Sequence, residues 1–245
     1  MNFLNQMKKG ETYSFKEEQT YKTIRNVNEP HLAFLLLLDT STSMGSKVGM
    51  KTKIQLLNEA IARLKAQMMM DEFAASRVDI AVVEFNSGAR VVCDWVPLSE
   101  FKAPVLEAEG MTSMGEGGNL AIDMVKERRR FYKEMGTPSY AGHIFMITDG
   151  EPNDDTTRLK QRIAEEDAKD PSKCKMKWFS CAVPGADENF LAGLSKRKVA
   201  LDSHDFGKMF NWIGQSLVIV SNSKVGENPQ LPALPEGMRV VPSDW

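Results

Sequence analysis

Five oxygen-bearing side chains stand in three separated segments of this chain. Asp39, Ser41 and Ser43 alternate in Asp39-Thr40-Ser41-Thr42-Ser43, Thr112 lies in Gly110-Met111-Thr112-Ser113-Met114-Gly115, and Asp149 lies in Thr148-Asp149-Gly150. Carboxylates drawn close together repel, and burying them costs free energy unless a positive group joins them. A divalent cation with oxygen ligands meets both demands. Mg²⁺ takes an octahedral oxygen shell at about 2.0–2.1 Å and keeps several waters; Mn²⁺ suits the same donors. With only two carboxylates facing it, such a cation stays electrophilic toward a carboxylate from outside. These residues therefore describe a docking site.

The elements that must position them are readable from hydrophobic pattern. Residues 32–38 form an unbroken apolar run ending at Asp39, and residues 144–147 form another ending at Thr148-Asp149-Gly150. Runs of this length and character are strands buried on both faces. Residues 78–85 and 176–183 read the same way, and Asn86-Ser87-Gly88 turns the chain into a hairpin with residues 89–93. Thr52-Lys53-Ile54-Gln55 fits a capping box, followed by apolar positions at helical spacing from Ile54 to Met68. A loop at residues 110–118 precedes a helix at roughly 119–135; further helices are expected at 155–169, around Leu191 and at 206–220. The alternation predicts an α/β fold, a doubly wound and mostly parallel sheet with helices on both faces. In such sheets ligands collect at the carboxyl ends of strands, where strand order reverses. The expected organisation is an N-terminal arm (1–30), one domain (31–221) and an extended C-terminal tail (222–245).

Bulk properties narrow the function. The 245 residues carry 42% hydrophobic and 26% charged side chains with a net charge of −2, an ordinary globular balance. That charge gives no general reason to expect nucleic acid or an anionic membrane as partner. No apolar stretch is long enough to span a bilayer and residues 1–10 lack the apolar core of a signal peptide, so a cytoplasmic setting is expected. Cys93, Cys174 and Cys181 form no C-x-x-C pair and are expected to be reduced packing residues.

Asp39-x-Ser41-x-Ser43, then Thr112, then Asp149 in a Thr-Asp-Gly turn resemble the metal-ion-dependent adhesion site of von Willebrand factor A domains. The resemblance covers roughly residues 30–221. Thr-Ser-Met-Gly before a long basic helix and Ile-Thr-Asp-Gly-Glu-Pro are similar to the bacterial intracellular branch associated with tellurium resistance and stress responses. It implies a Mg²⁺-dependent protein-interaction module, not an enzyme, whose metal is completed by a Glu or Asp of a partner. In that branch the partner is often a kinase-like protein or a phosphatase. Met111, Met114 and Glu151 would form the rim around the metal. Thr42 departs from the glycine often found there.

Other chemistries fit less well. Residues 45–52 resemble a phosphate-binding loop but have three residues between the glycines instead of four, and Met50 separates Gly49 from Lys51. A Mg²⁺-dependent phosphoryl-transfer or nucleotide-hydrolysing enzyme at the same strand ends is the alternative; it lacks a matched phosphate loop and a candidate base. An aspartyl nucleophile at Asp39 would want an acid at position 41, which is serine. There is no G-x-S-x-G, and His31, His143 and His204 have no evident catalytic partner. Arg128-Arg129-Arg130 reads as a solvated helix face with ion pairs.

Overall fold

The computed structural model describes residues 24, 26–170 and 173–242. The arm expected at residues 1–30 lies almost wholly outside them. Nine strands and six α-helices are present among the described residues: β1 Leu32–Asp39, β2 Lys47–Val48, β3 Lys51–Thr52, α1 Lys53–Met68, α2 Glu72–Arg77, β4 Val78–Phe85, β5 Ala89–Pro97, α3 Met114–Glu134, β6 Gly142–Thr148, α4 Thr157–Asp167, β7 Met176–Ala182, α5 Glu188–Ala192, β8 Lys198–Leu201, α6 Phe206–Asn222 and β9 Met238–Val240. Seven strands make the main sheet in the order β5-β4-β1-β6-β7-β8-β9. The five central strands are parallel; β5 and β9 close the edges antiparallel. The fold is therefore the doubly wound α/β architecture that the strand-helix alternation implies.

β1 is central because every one of its residues can be buried on both sides. Phe34, Leu36 and Leu38 join the core beneath α1 and α6, with Leu57, Ile61, Ile213 and Leu217. Ala33, Leu35 and Leu37 join the core on the other face beneath α3, with Ala121, Met124 and Val125. From β1 the chain passes to β4 on one side, then returns through α3 to β6 on the other. The reversal of strand order thus falls between β1 and β6, which run in register from Phe34↔His143 to Leu38↔Ile147. Asp39 and Asp149 leave the sheet on either side of that crevice.

α2, the β2–β3 hairpin and the length of β5 go beyond the sequence reading, and two further differences reshape the expected elements. α3 begins at Met114, five residues before the expected start. The glycines that suggested a loop are there because the first turn is pressed against its neighbours. A Cβ on Gly115 would lie 2.3 Å from the Asp155 carbonyl, one on Gly117 2.8 Å from Phe85, and one on Gly118 2.5 Å from Leu159. The second difference is β9, which pairs with β8 from Val199↔Val240 to Leu201↔Met238 and extends the sheet with a segment that reads from sequence only as Pro-rich tail.

Candidate functional site

Each site residue is held by the element that ends just before it or begins just after it. Asp39 is the last residue of β1 and is fully buried. Its Oδ1 accepts from the Ser41 backbone N–H at 2.9 Å, and its Oδ2 accepts from the Thr148 hydroxyl at 2.6 Å, tying the ends of β1 and β6 together. After Ser41 the chain turns into a single 3₁₀ turn, Thr42–Gly45, anchored by the fully buried Met44. That turn puts the Ser41 and Ser43 hydroxyls 3.0 Å apart, and the Ser43 hydroxyl donates to Asp149 Oδ1 at 2.5 Å. Asp39, Ser41, Ser43 and Asp149 are therefore joined in one chain of hydrogen bonds.

Thr112 is brought in from the loop before α3. A Cβ placed on Gly150 would lie 3.5 Å from Thr112 Oγ1 and 3.7 Å from Asp39 Oδ2, so both oxygens face the same small volume beside Gly150. The loop is gripped by the segment after β6: Asn153 Oδ1 accepts from the Thr112 N–H at 2.9 Å, and the Asn153 N–H donates to the Thr112 carbonyl at 2.9 Å. Asp154 then caps α3, accepting from the Gly115 and Glu116 N–H groups at 2.9 and 2.8 Å. No local signature marks this clamp, because Asp154 caps α3 and not the helix that follows it in the chain.

The electrostatics of the two aspartates differ. Burial raises the Asp39 pKa; the hydrogen bonds from Ser41 and Thr148 oppose the shift, and the Asp149 charge adds to it. Asp149 has a cationic partner: the Lys53 ammonium, at the start of α1, lies 2.6 Å from its Oδ2. The Thr52–Gln55 capping box expected from sequence is present and fixes where Lys53 begins. Nothing in the local sequence marks Lys53 itself.

Of the proposed rim, Met111 and Glu151 are exposed and stand beside Thr112 and Asp149. Met114 does not belong there. It is fully buried in the core beneath α3, because the helix starts at this residue and turns its first side chain inward. Residues 47–52 form a two-stranded hairpin with Gly49 at φ 65° and a fully exposed Met50 at its tip, and Lys51 pairs with Glu59 at 2.6 Å. They do not curl into a phosphate cradle. Arg128 is also corrected: it is buried and pairs with Asp79, while Arg129 donates to the Lys175 carbonyl. His143 is a packing residue, stacked on Phe179, its Nδ1 2.9 Å from the Ala141 carbonyl oxygen; burial lowers its pKa to about 3.

The donor set suits a hard cation: two carboxylates and three hydroxyls, with no sulfur or imidazole among them. Among the described residues no three His, Cys, Asp or Glu side chains cluster as a metal site, so a cation placed here would need the hydroxyls as donors. Oxygens from the loops after β1 and β6 and before α3 thus converge beside Gly150.

Residues 34–151 match the von Willebrand factor type A domain. No curated protein matches the chain. Among solved structures, the fold is similar to the pilus adhesin SpaC of Lactobacillus rhamnosus GG (TM-score 0.59, 10% identity, covering 79% of this chain and 32% of that one). It is also similar to the PilB minor pilin of Streptococcus sanguinis (TM-score 0.53, 12% identity, 78% and 62%). A third is the proximal thread matrix protein 1 of the mussel byssus, in a structure whose metal-ion-dependent adhesion site holds zinc (TM-score 0.52, 14% identity, 77% and 48%). The chain spans less than two thirds of the length of each. At these identities the likeness is one of fold. No helix among the described residues is long and apolar enough to cross a membrane.

Proposed function

We propose that this chain is a metal-dependent protein-interaction module that recognises an acidic residue of a partner protein. Asp39, Ser41, Ser43, Thr112 and Asp149 would hold Mg²⁺ or Mn²⁺, the aspartates directly or through water. The bound cation supplies an electrophile on which a partner's Glu or Asp can dock. The observation that carries this reading is the continuous hydrogen-bonded run from Asp39 through Ser41 and Ser43 to Asp149, spanning the crevice between adjacent parallel strands.

The chain's own residues divide the work. Thr148 and Ser41 orient the Asp39 carboxylate, Asn153 holds the Thr112 loop, and Ser43 bridges the β1 and β6 ends. Met111 and Glu151 frame the entrance, and an apolar, adaptable methionine suits a surface that must mould to a partner. The interaction unit is residues 31–221 together with β9, the edge strand that the following segment adds to its sheet. The motifs at residues 112–115 and 147–152 favour a cytoplasmic bacterial stress or tellurium-resistance assembly with a kinase-like or phosphatase partner. Docking, not catalysis, is the role of this chain.

The test is capture of partners from native lysate by the full chain in Mg²⁺ or in chelator, with wild type and Asp39→Ala. A partner recovered only by wild type in Mg²⁺ supports the proposal. Equal recovery in all four conditions, with the variant folded by circular dichroism, contradicts it.

A further inference from the structure

Lys53 stands out because a lysine is an unexpected neighbour for a metal-binding carboxylate. Its side chain is 12% exposed and that of Asp149 is 0% exposed, so the pair is shielded from water. The ammonium lies 2.6 Å from Oδ2, while Oδ1 of the same carboxylate takes the Ser43 hydroxyl at 2.5 Å. The lysine is fixed from several sides. It begins α1 behind a capping box, and its Nζ also lies 3.4 Å from the Pro184 carbonyl. The turn after β7 closes over it with Gly185 at φ 113°, where a Cβ would come 3.0 Å from the Asp149 carbonyl and 3.4 Å from Lys53 Nζ. A flexible surface lysine would be hydrated and adaptable. This one is placed.

Charge arithmetic gives the placement a consequence. Two ionised aspartates and one ammonium leave the site at −1. A divalent cation brings it to +1, and one carboxylate from outside brings it to zero. Without the ammonium, the loaded site would be neutral and an arriving carboxylate would leave it at −1. In a shielded site one unit of charge is a large effect, because Coulomb interactions strengthen as the effective dielectric falls. The ammonium also gives Asp149 a partner before any cation binds, and repels the cation when it does.

Building on the metal-docking reading above, we propose that Lys53 is an internal counter-cation that weakens divalent-metal binding and reserves a positive charge for a carboxylate ligand. Metal affinity and acid affinity are thus traded against each other by one side chain. Lys53 holds Oδ2 of Asp149 and the Ser43 hydroxyl holds Oδ1, so the carboxylate is fixed at both oxygens.

The experiment titrates Mn²⁺ into the full chain by calorimetry, with bound Mn²⁺ read independently by electron paramagnetic resonance. Wild type, Lys53→Met and Lys53→Arg are compared with and without acetate at constant ionic strength. Lys53→Met is expected to bind Mn²⁺ about tenfold more tightly than wild type, since removing a nearby like charge favours the cation. The tightening of Mn²⁺ binding by acetate should fall by about fivefold or more in Lys53→Met, that gain being the coupling between the two ligands. Lys53→Arg, which keeps the charge, should behave as wild type and guards against a folding artefact. Mn²⁺ binding by Lys53→Met that equals or falls below wild type, with the acetate effect unchanged, overturns the counter-cation role while leaving the metal site standing. No Mn²⁺ binding by either protein removes both. Binding by Lys53→Met alone would be the strongest support.

Discussion

Two buried aspartates occupy opposite ends of the same sheet, and their surroundings are opposite in kind. Asp79, at the start of β4, is 1% exposed, and three groups reach its Oδ2: the Tyr132 hydroxyl at 2.5 Å, His31 Nδ1 at 3.1 Å and the Arg128 guanidinium at 3.2 Å. Asp39, at the end of β1, is equally buried but is met by one hydroxyl and one N–H. Burial raises the Tyr132 pKa well above its usual value, and the Asp79 charge raises it further, keeping the phenol a neutral donor. Burial opposes charge on Arg128, yet Tyr132 and Asp79 raise its pKa overall. The Asp79 charge is thus matched by Arg128, whose Nη1 alone is buried without a hydrogen-bond partner in this group. At the Asp39 end burial wins and the carboxylate is held above its usual pKa. A charge-matched network locks structure; a buried carboxylate without a cationic partner is a place for a ligand.

The sharpest break in that comparison is Arg128→Met. It leaves Asp79 buried without a full countercharge and should cost about 3 kcal/mol or more, read as a lower urea midpoint. Asn153→Ala is next: loss of the side-chain half of the Thr112 clamp should cost about 1 kcal/mol by the same measurement. It should also weaken Mn²⁺ binding, because Thr112 is then held only by the Asn153 backbone N–H. Asp39→Asn should act with the opposite sign in metal-free protein, raising stability by about 1 kcal/mol, since it removes a buried charge without a cationic partner of its own. The same variant tests pH dependence. A carboxyl whose folded pKa is raised contributes stability at low pH, and loses it as pH climbs past the unfolded value and through the folded one. The melting-temperature difference between metal-free wild type and Asp39→Asn should therefore widen as pH rises from acid toward neutral, and excess Mg²⁺ should reverse its sign.

The contrast also explains what the sequence can and cannot announce. Asp39 and Asp149 were legible because each follows an apolar run, and a carboxylate after a buried strand is a local signal. The Thr52–Gln55 capping box was legible for the same reason. Arg128 was misread because an Arg-Arg-Arg run looks solvated; only the packing of α3 on the sheet brings it to Asp79, 49 residues away in sequence. Lys53 and Asn153 escaped notice because their partners lie 96 and 41 residues away, and nothing local distinguishes a placed lysine from a surface one. Met114 was misassigned through the start of α3: glycines that read as a loop are close-packing points of a helix. β9 was missed because a three-residue edge strand in a Pro-rich segment carries almost no periodicity.

Calorimetric titration of Mn²⁺ into the full chain decides whether the ends of β1 and β6 hold a cation, run in parallel on wild type, Ser43→Ala, Asp39→Asn and Tyr132→Phe. One equivalent bound by wild type and by Tyr132→Phe, with binding lost or strongly weakened in the Ser43 and Asp39 variants, is the predicted result. Undiminished binding by Asp39→Asn, or no binding by wild type, would contradict a metal site at the junction of β1 and β6.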